Sequence, residues 1–61
     1  MTRTQYYAMQ HIADNAEHVA EEFLNIRPAT MKVLKRNRWI TPLGKGFVWT
    51  AAGIAAIETA A

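Results

Sequence analysis

Six cations fall within residues 23–57: Arg27, Lys32, Lys35, Arg36, Arg38 and Lys45. No aspartate or glutamate interrupts that stretch, so it carries +6. Long cationic donors gathered without acids between them are suited to a polyanion, because they attract phosphate without neutralising one another. The preceding residues have the opposite character. Over residues 1–22 Arg3 stands against Asp14, Glu17, Glu21 and Glu22, a net charge of −3. The formal charge of the whole chain, +2, conceals this division. A basic helix face exposed only for solubility would ordinarily mix signs, since opposite charges four residues apart support a helix.

Other constellations are poorer in chemistry. His11, Asp14 and His18 would share a face only if one helix ran through them, and the Asp14-Asn15 pair reads as a stop, so no metal site is expected. The chain has no serine and no cysteine, which removes a serine or thiolate nucleophile and any disulfide. The acids of residues 14–22 have no partner base. Tyr6, Tyr7, Trp39 and Trp49 would suit base stacking. The better reading makes the two tryptophans hairpin core residues, packs Tyr6 on the first helix and leaves Tyr7 to solvent. No enzyme, no cofactor and no small-molecule ligand are expected, because 61 residues leave little wall for a binding cleft.

The length fits one domain, residues 1–61, burying only about 60% of its unfolded surface. An apolar share of 51% is enough for one core and argues against disorder. The uncharged stretch from Gly46 to Ile57 falls short of the roughly 18 residues of a membrane span. Met1-Thr2-Arg3 leads into no apolar run, so no signal peptide is expected. The absence of cysteine fits a cytoplasmic location.

Local signals order the elements. Thr2 and Gln5 have capping-box spacing and predict a helix over 3–13, with Met9, Ile12, Ala13 and Ala16 on its apolar stripe. Asp14 or Asn15 caps a second helix over 16–24, with Val19, Ala20, Phe23 and Leu24 on one side and Glu17, Glu21 and Glu22 largely on the other. Pro28 starts a third helix after a turn at 25–27, and Ile26 and Met31 have hydrophobic-staple spacing. That helix ends near Asn37, a residue that tolerates a left-handed cap. Residues 39–41 and 47–49 are β-favouring and flank a turn-forming loop over 42–46, which predicts a hairpin. Thr50 caps a final helix over 51–59, with Trp49 and Ile54 as a staple and Ile54 and Ile57 as its stripe. Gly53 slightly weakens it. The fold class is mainly α with a small β-hairpin.

This order resembles a winged helix-turn-helix DNA-binding domain, with three helices, a two-stranded wing and a C-terminal helix. The likeness is carried by Val19-Ala20-Glu21-Glu22-Phe23, by residues 28–36 and by Trp39-Ile40. It is carried above all by Phe47-Val48-Trp49-Thr50-Ala51-Ala52-Gly53-Ile54-Ala55-Ala56-Ile57, which is similar to the last strand and "L-T-x-x-G-x-x-A-L" helix of that family. It covers most of the chain. Three features depart from the pattern. Residues 20–31 are one residue longer than the usual spacing. Leu24-Asn25 stands where the turn commonly has glycine, and Asn37-Arg38 stands where glycine often ends the recognition helix.

The resemblance implies a sequence-specific double-stranded DNA-binding protein, a small transcriptional regulator or repressor of the stand-alone, phage-like kind. The third helix, residues 28–37, would enter the major groove, and the 42–46 loop would be the wing. Met31 and Leu34, about 60° apart at roughly 100° per residue, mark that helix's buried side. Ala29, Lys32, Val33 and Arg36 then face outward. Lys32 and Arg36 can reach guanine edges or phosphates, while Ala29 and Val33 permit close approach and suit a thymine methyl. Arg27, Thr30, Lys35 and Arg38 fit phosphate contacts, and Lys45 between its glycines fits the wing tip. Against this, Lys35 and Arg38 could simply solvate the helix, Arg27 could pair with Glu21 or Glu22, and Lys45 could keep the hairpin edge unpaired. One module of this size covers a modest area of DNA, so a homodimer or cooperative oligomer is expected, joined through the first or last helix. The alternative functions are a winged-helix protein–protein interaction module that binds a host factor without touching DNA, and a DNA-compacting protein without sequence preference.

Overall fold

The computed structural model describes residues 1–60, the side chain of Ala16 excepted. The fold is mainly helical with one hairpin: α1 (Arg3–Asn15), two short 3₁₀ turns (Ala16–His18 and Glu21–Phe23), α2 (Pro28–Arg36), β1 (Ile40–Leu43), β2 (Gly46–Trp49) and α3 (Ala51–Ala60). A single cluster forms the core: Ala8, Met9, Ile12, Leu24, Met31, Leu34, Ile40 and Phe47.

The capping box at the start of α1 is formed. The Thr2 amide donates to Gln5 Oε1 at 2.9 Å, and the Gln5 amide donates to Thr2 Oγ1 at 3.1 Å. Two amide donors of the first turn are thereby satisfied reciprocally. The helix runs two residues past the expected end and closes with Asn15 Nδ2 donating to the His11 carbonyl. Met9 and Ile12 are fully buried, as their spacing predicts. Ala8 is buried beside them, and Ala13 is exposed instead of facing the core.

The second helix expected over 16–24 does not form. Val19 (φ −122°, ψ 123°) and Ala20 (φ −66°, ψ 153°) are extended and split the segment into two 3₁₀ turns. The Glu17 carbonyl, which an α-helix would give to residue 21, accepts the amide of Lys45 in the hairpin loop at 3.0 Å. A helix of nine residues is marginal in water, so a tertiary hydrogen bond of this kind decides its fate. The apolar side expected here is split as well. Leu24 is 1% exposed, whereas Phe23 is 74% exposed.

α2 begins at Pro28 as expected and buries Met31 and Leu34. Its end differs by one residue. Asn37 keeps a right-handed conformation (φ −81°), and Arg38 takes the left-handed one (φ 58°). The Arg38 amide donates to Lys35 O and the Trp39 amide to Leu34 O, the paired bonds of a Schellman cap. Asn25 is also left-handed (φ 55°). The chain therefore takes left-handed conformations at the two places where it lacks the glycines of the winged-helix pattern.

The hairpin is longer and tighter than expected. Its register pairs Ile40 with Trp49 and Leu43 with Gly46, so the connection is Gly44-Lys45 alone and not a five-residue loop over 42–46. Gly44 has φ +59°, which a two-residue turn requires at its first position. Pro42 lies inside β1 opposite Phe47. Hydrogen-bonded and non-bonded pairs alternate along an antiparallel ladder, and in this two-stranded sheet a proline lacking its N–H is tolerated. Trp39 precedes the strand and is half-buried, and Trp49 Nε1 donates to the Met9 carbonyl at 2.8 Å, tying β2 to α1.

Thr50 caps α3: its Oγ1 accepts the Gly53 amide at 3.0 Å and donates to the Arg38 carbonyl at 2.5 Å. Ile54, expected on the apolar stripe with Ile57, is exposed, and of the two it is Ile57 that packs on the core. Gly53 is no mere weak point. A Cβ there would lie 2.1 Å from the Trp39 carbonyl oxygen and 3.0 Å from Met9 Cε. Only glycine lets α3 lie directly on the backbone that leaves α2. Among the described residues no helix is long and apolar enough to cross a membrane.

Candidate nucleic-acid interface

The residues proposed to face DNA are distributed over α2, its two ends and the hairpin turn. On α2, Ala29, Lys32 and Arg36 are exposed at spacings of three and four, which makes one outward stripe. Met31 and Leu34, buried on the opposite side, hold that stripe outward. Val33 is half-buried and so lies at the margin of the stripe. Thr30 is half-buried and lines a groove that it shares with α1. Arg27 is exposed at the N-terminal boundary of α2, and Arg38 is exposed at its left-handed corner.

Lys35 is engaged. Its Nζ lies 2.5 Å from Glu21 Oε1 and 5.4 Å from the centroid of the Phe47 ring. Both partners of the ion pair keep 46% side-chain exposure, so the pair is screened and exchangeable. It is the only ion pair among the described residues, so the rival reading in which Arg27 pairs with Glu21 or Glu22 is not what forms. Arg27, Lys32, Arg36, Arg38 and Lys45 have no carboxylate partner among the described residues.

The hairpin turn is not a free-standing wing. The Lys45 amide is bonded to Glu17, and a Cβ on Gly44 would lie 3.1 Å from Glu17 Cβ and 3.2 Å from its carbonyl oxygen. The turn is therefore seated on the acidic segment. Lys45 keeps an exposed side chain, but the structure ties it to Glu17 and not to α2.

In the sequence His11 goes with a candidate metal site and Tyr7 with base stacking, and the two are not joined into a set of polar side chains. Thr4, Tyr7 and His11 lie on one stripe of α1 and line an open groove whose other wall is Arg27 and Thr30. The signal was present as the 3–4 spacing of residues 4, 7, 8 and 11, but Ala8 is the one apolar member and drew no attention to it. Comparison with protein-family models, with curated proteins and with solved structures finds no match for this chain.

Proposed function

We propose that the chain is a sequence-specific double-stranded DNA-binding protein of winged-helix type, acting as a small transcriptional regulator. The observation that carries this reading is the outward stripe of α2. Lys32 and Arg36 project from a helix locked to the core on its other side, and neither has a carboxylate partner among the described residues. Such a stripe gives positive charge, hydrogen-bond donors and a rigid support together. In this reading α2 lies in the major groove with Ala29 and Val33 allowing close approach, Arg27 and Arg38 reach the flanking phosphates, and Lys45 contributes from the hairpin turn. The exposed, nearly uncharged face of α3 around Ile54 provides the contact for a homodimer on a symmetric site.

The test is selection of bound duplexes from a random pool, followed by titration of the selected duplex with wild type and a Lys32→Ala/Arg36→Ala variant. Enrichment of one symmetric motif, steep weakening with salt and a loss of about 100-fold in the folded variant are expected. No salt-sensitive binding at micromolar protein would end the proposal.

A second reading has its own observation. Phe23 stands 74% exposed between Glu22 and the buried Leu24, with Glu21 alongside. An aromatic side chain rimmed by acids suits a protein partner with a basic, apolar cleft. On that reading the Lys32→Ala/Arg36→Ala variant retains full activity.

A further inference from the structure

The groove between α1 and the entry to α2 has a volume of about 350 Å³. Buried Ala8 and half-buried Ile26 form its apolar part. The remaining lining residues are polar: Thr4, Tyr7 and Thr30, which carry hydroxyls, His11, Asn25 and Arg27. Each can donate a hydrogen bond, and Arg27 carries a permanent charge. Among the described residues no carboxylate lines the groove, although four acids lie between residues 14 and 22. A site that offers several donors, one fixed cation and no acid is chemically complementary to a phosphate group.

Its place in the fold narrows the source of that phosphate. The nine residues of α2 rise about 13 Å, close to the roughly 12 Å width of the DNA major groove. A helix of that length lying across the groove brings each of its ends near one sugar–phosphate backbone. The donor groove lies at the N-terminal end, beyond Lys32 and Arg36. We propose that it seats a phosphodiester of the DNA strand bordering the major groove, which makes Tyr7 and His11 of α1 DNA-contacting residues. This inference rests on the DNA-binding reading and adds a second element to the interface.

The experiment compares wild type, a Tyr7→Phe/His11→Ala variant and the Lys32→Ala/Arg36→Ala variant on the selected duplex and on a scrambled duplex. Circular dichroism and thermal unfolding check that the exposed substitutions leave the fold intact. A phosphate contact carries no base information, so the Tyr7→Phe/His11→Ala variant should bind both duplexes about tenfold more weakly. Arg27→Ala should also lower the slope of log affinity against log salt by about 0.9. Wild-type binding by the Tyr7→Phe/His11→Ala variant, with binding lost in Lys32→Ala/Arg36→Ala, would overturn the groove and leave the DNA reading intact. A parallel titration with inorganic phosphate, followed by amide resonances of residues 4–11 and 25–30, separates the reverse case. Shifts in wild type that vanish in Tyr7→Phe/His11→Ala, without binding of any duplex, would support a phosphate seat for a free phosphoryl ligand and overturn its assignment to DNA. No shift and no duplex binding would overturn both.

Discussion

Residues 16–27 and residues 28–60 are built on opposite principles. The first segment is acidic, contains two 3₁₀ turns and buries one large side chain, Leu24. The second is basic, has a regular helix, hairpin and helix, and fixes each junction with backbone hydrogen bonds. Arg38 and Trp39 close α2 on Lys35 and Leu34, the Trp39 carbonyl receives the Thr50 amide, and Thr50 starts α3. The acidic segment has no comparable local order. It is positioned by Leu24 in the core, with Val19 and Ile26 packed against it, and by the Lys45 amide on Glu17; the exposed Lys35–Glu21 pair adds a weak tie. Local consistency of sequence signals gives regular structure in one region, and its absence leaves the other to be shaped by its neighbours.

The largest expected effect breaks the tight junctions of the second region. Gly53→Ala places a methyl group within 2.1 Å of the Trp39 carbonyl oxygen, and a helix backbone cannot yield as a flexible side chain does. Destabilisation of about 3 kcal/mol or more is expected in urea or thermal unfolding. A loss near the helix-propensity range, or a gain in stability, would show that α3 is not seated on the 38–39 backbone.

Next in size is a contrast within the acidic segment. Leu24→Ala should cost about 2–5 kcal/mol, because it empties a fully enclosed site. Phe23→Ala should stay within about 0.5 kcal/mol, because its ring is already in water. Equal losses at the two neighbours would restore the amphipathic helix that the spacing of Val19, Ala20, Phe23 and Leu24 suggests.

That spacing shows where the sequence was legible. Signals that act within a few residues were read correctly: the Thr2–Gln5 box, Pro28 at the start of α2, the buried pair Met31 and Leu34, and Thr50 at the start of α3. Two local ends were misplaced, since α1 runs on to Asn15 and the left-handed cap falls on Arg38 and not Asn37; the larger failures depended on contacts distant in the chain. The diverted Glu17 carbonyl, 28 residues from its donor Lys45, removed a helix that periodicity favoured. The hairpin loop shrank to two residues because Pro42, read as a loop residue, sits in a strand that needs no donor there. For the interface, the exposed stripe of Ala29, Lys32 and Arg36 followed from the helical wheel. The engagement of Lys35 and the facing of α1 on Arg27 and Thr30 did not, since neither leaves a periodic trace.

The smallest expected effect concerns the one ion pair that joins the two regions. With 46% of each side chain exposed, the Lys35–Glu21 pair contributes little to stability, and Glu21→Gln should cost at most about 0.5 kcal/mol. Its consequence for binding is of the opposite sign. Loss of the Glu21 charge releases Lys35, on the last turn of α2, and lowers the acidity beside the proposed DNA face. If DNA is the ligand, the variant should bind duplex about two- to threefold more tightly, as one partly screened charge is removed, and the salt slope should steepen by up to about 0.9 if Lys35 then takes a phosphate. Lys35→Met should weaken binding slightly and abolish the effect of Glu21→Gln in the double variant. An unchanged salt slope in Glu21→Gln would mean that Lys35 stays on the Phe47 ring in either case. The acidic segment would then act only as a support for the hairpin. A steeper slope would make it an internal competitor for the phosphates that the basic region is proposed to meet.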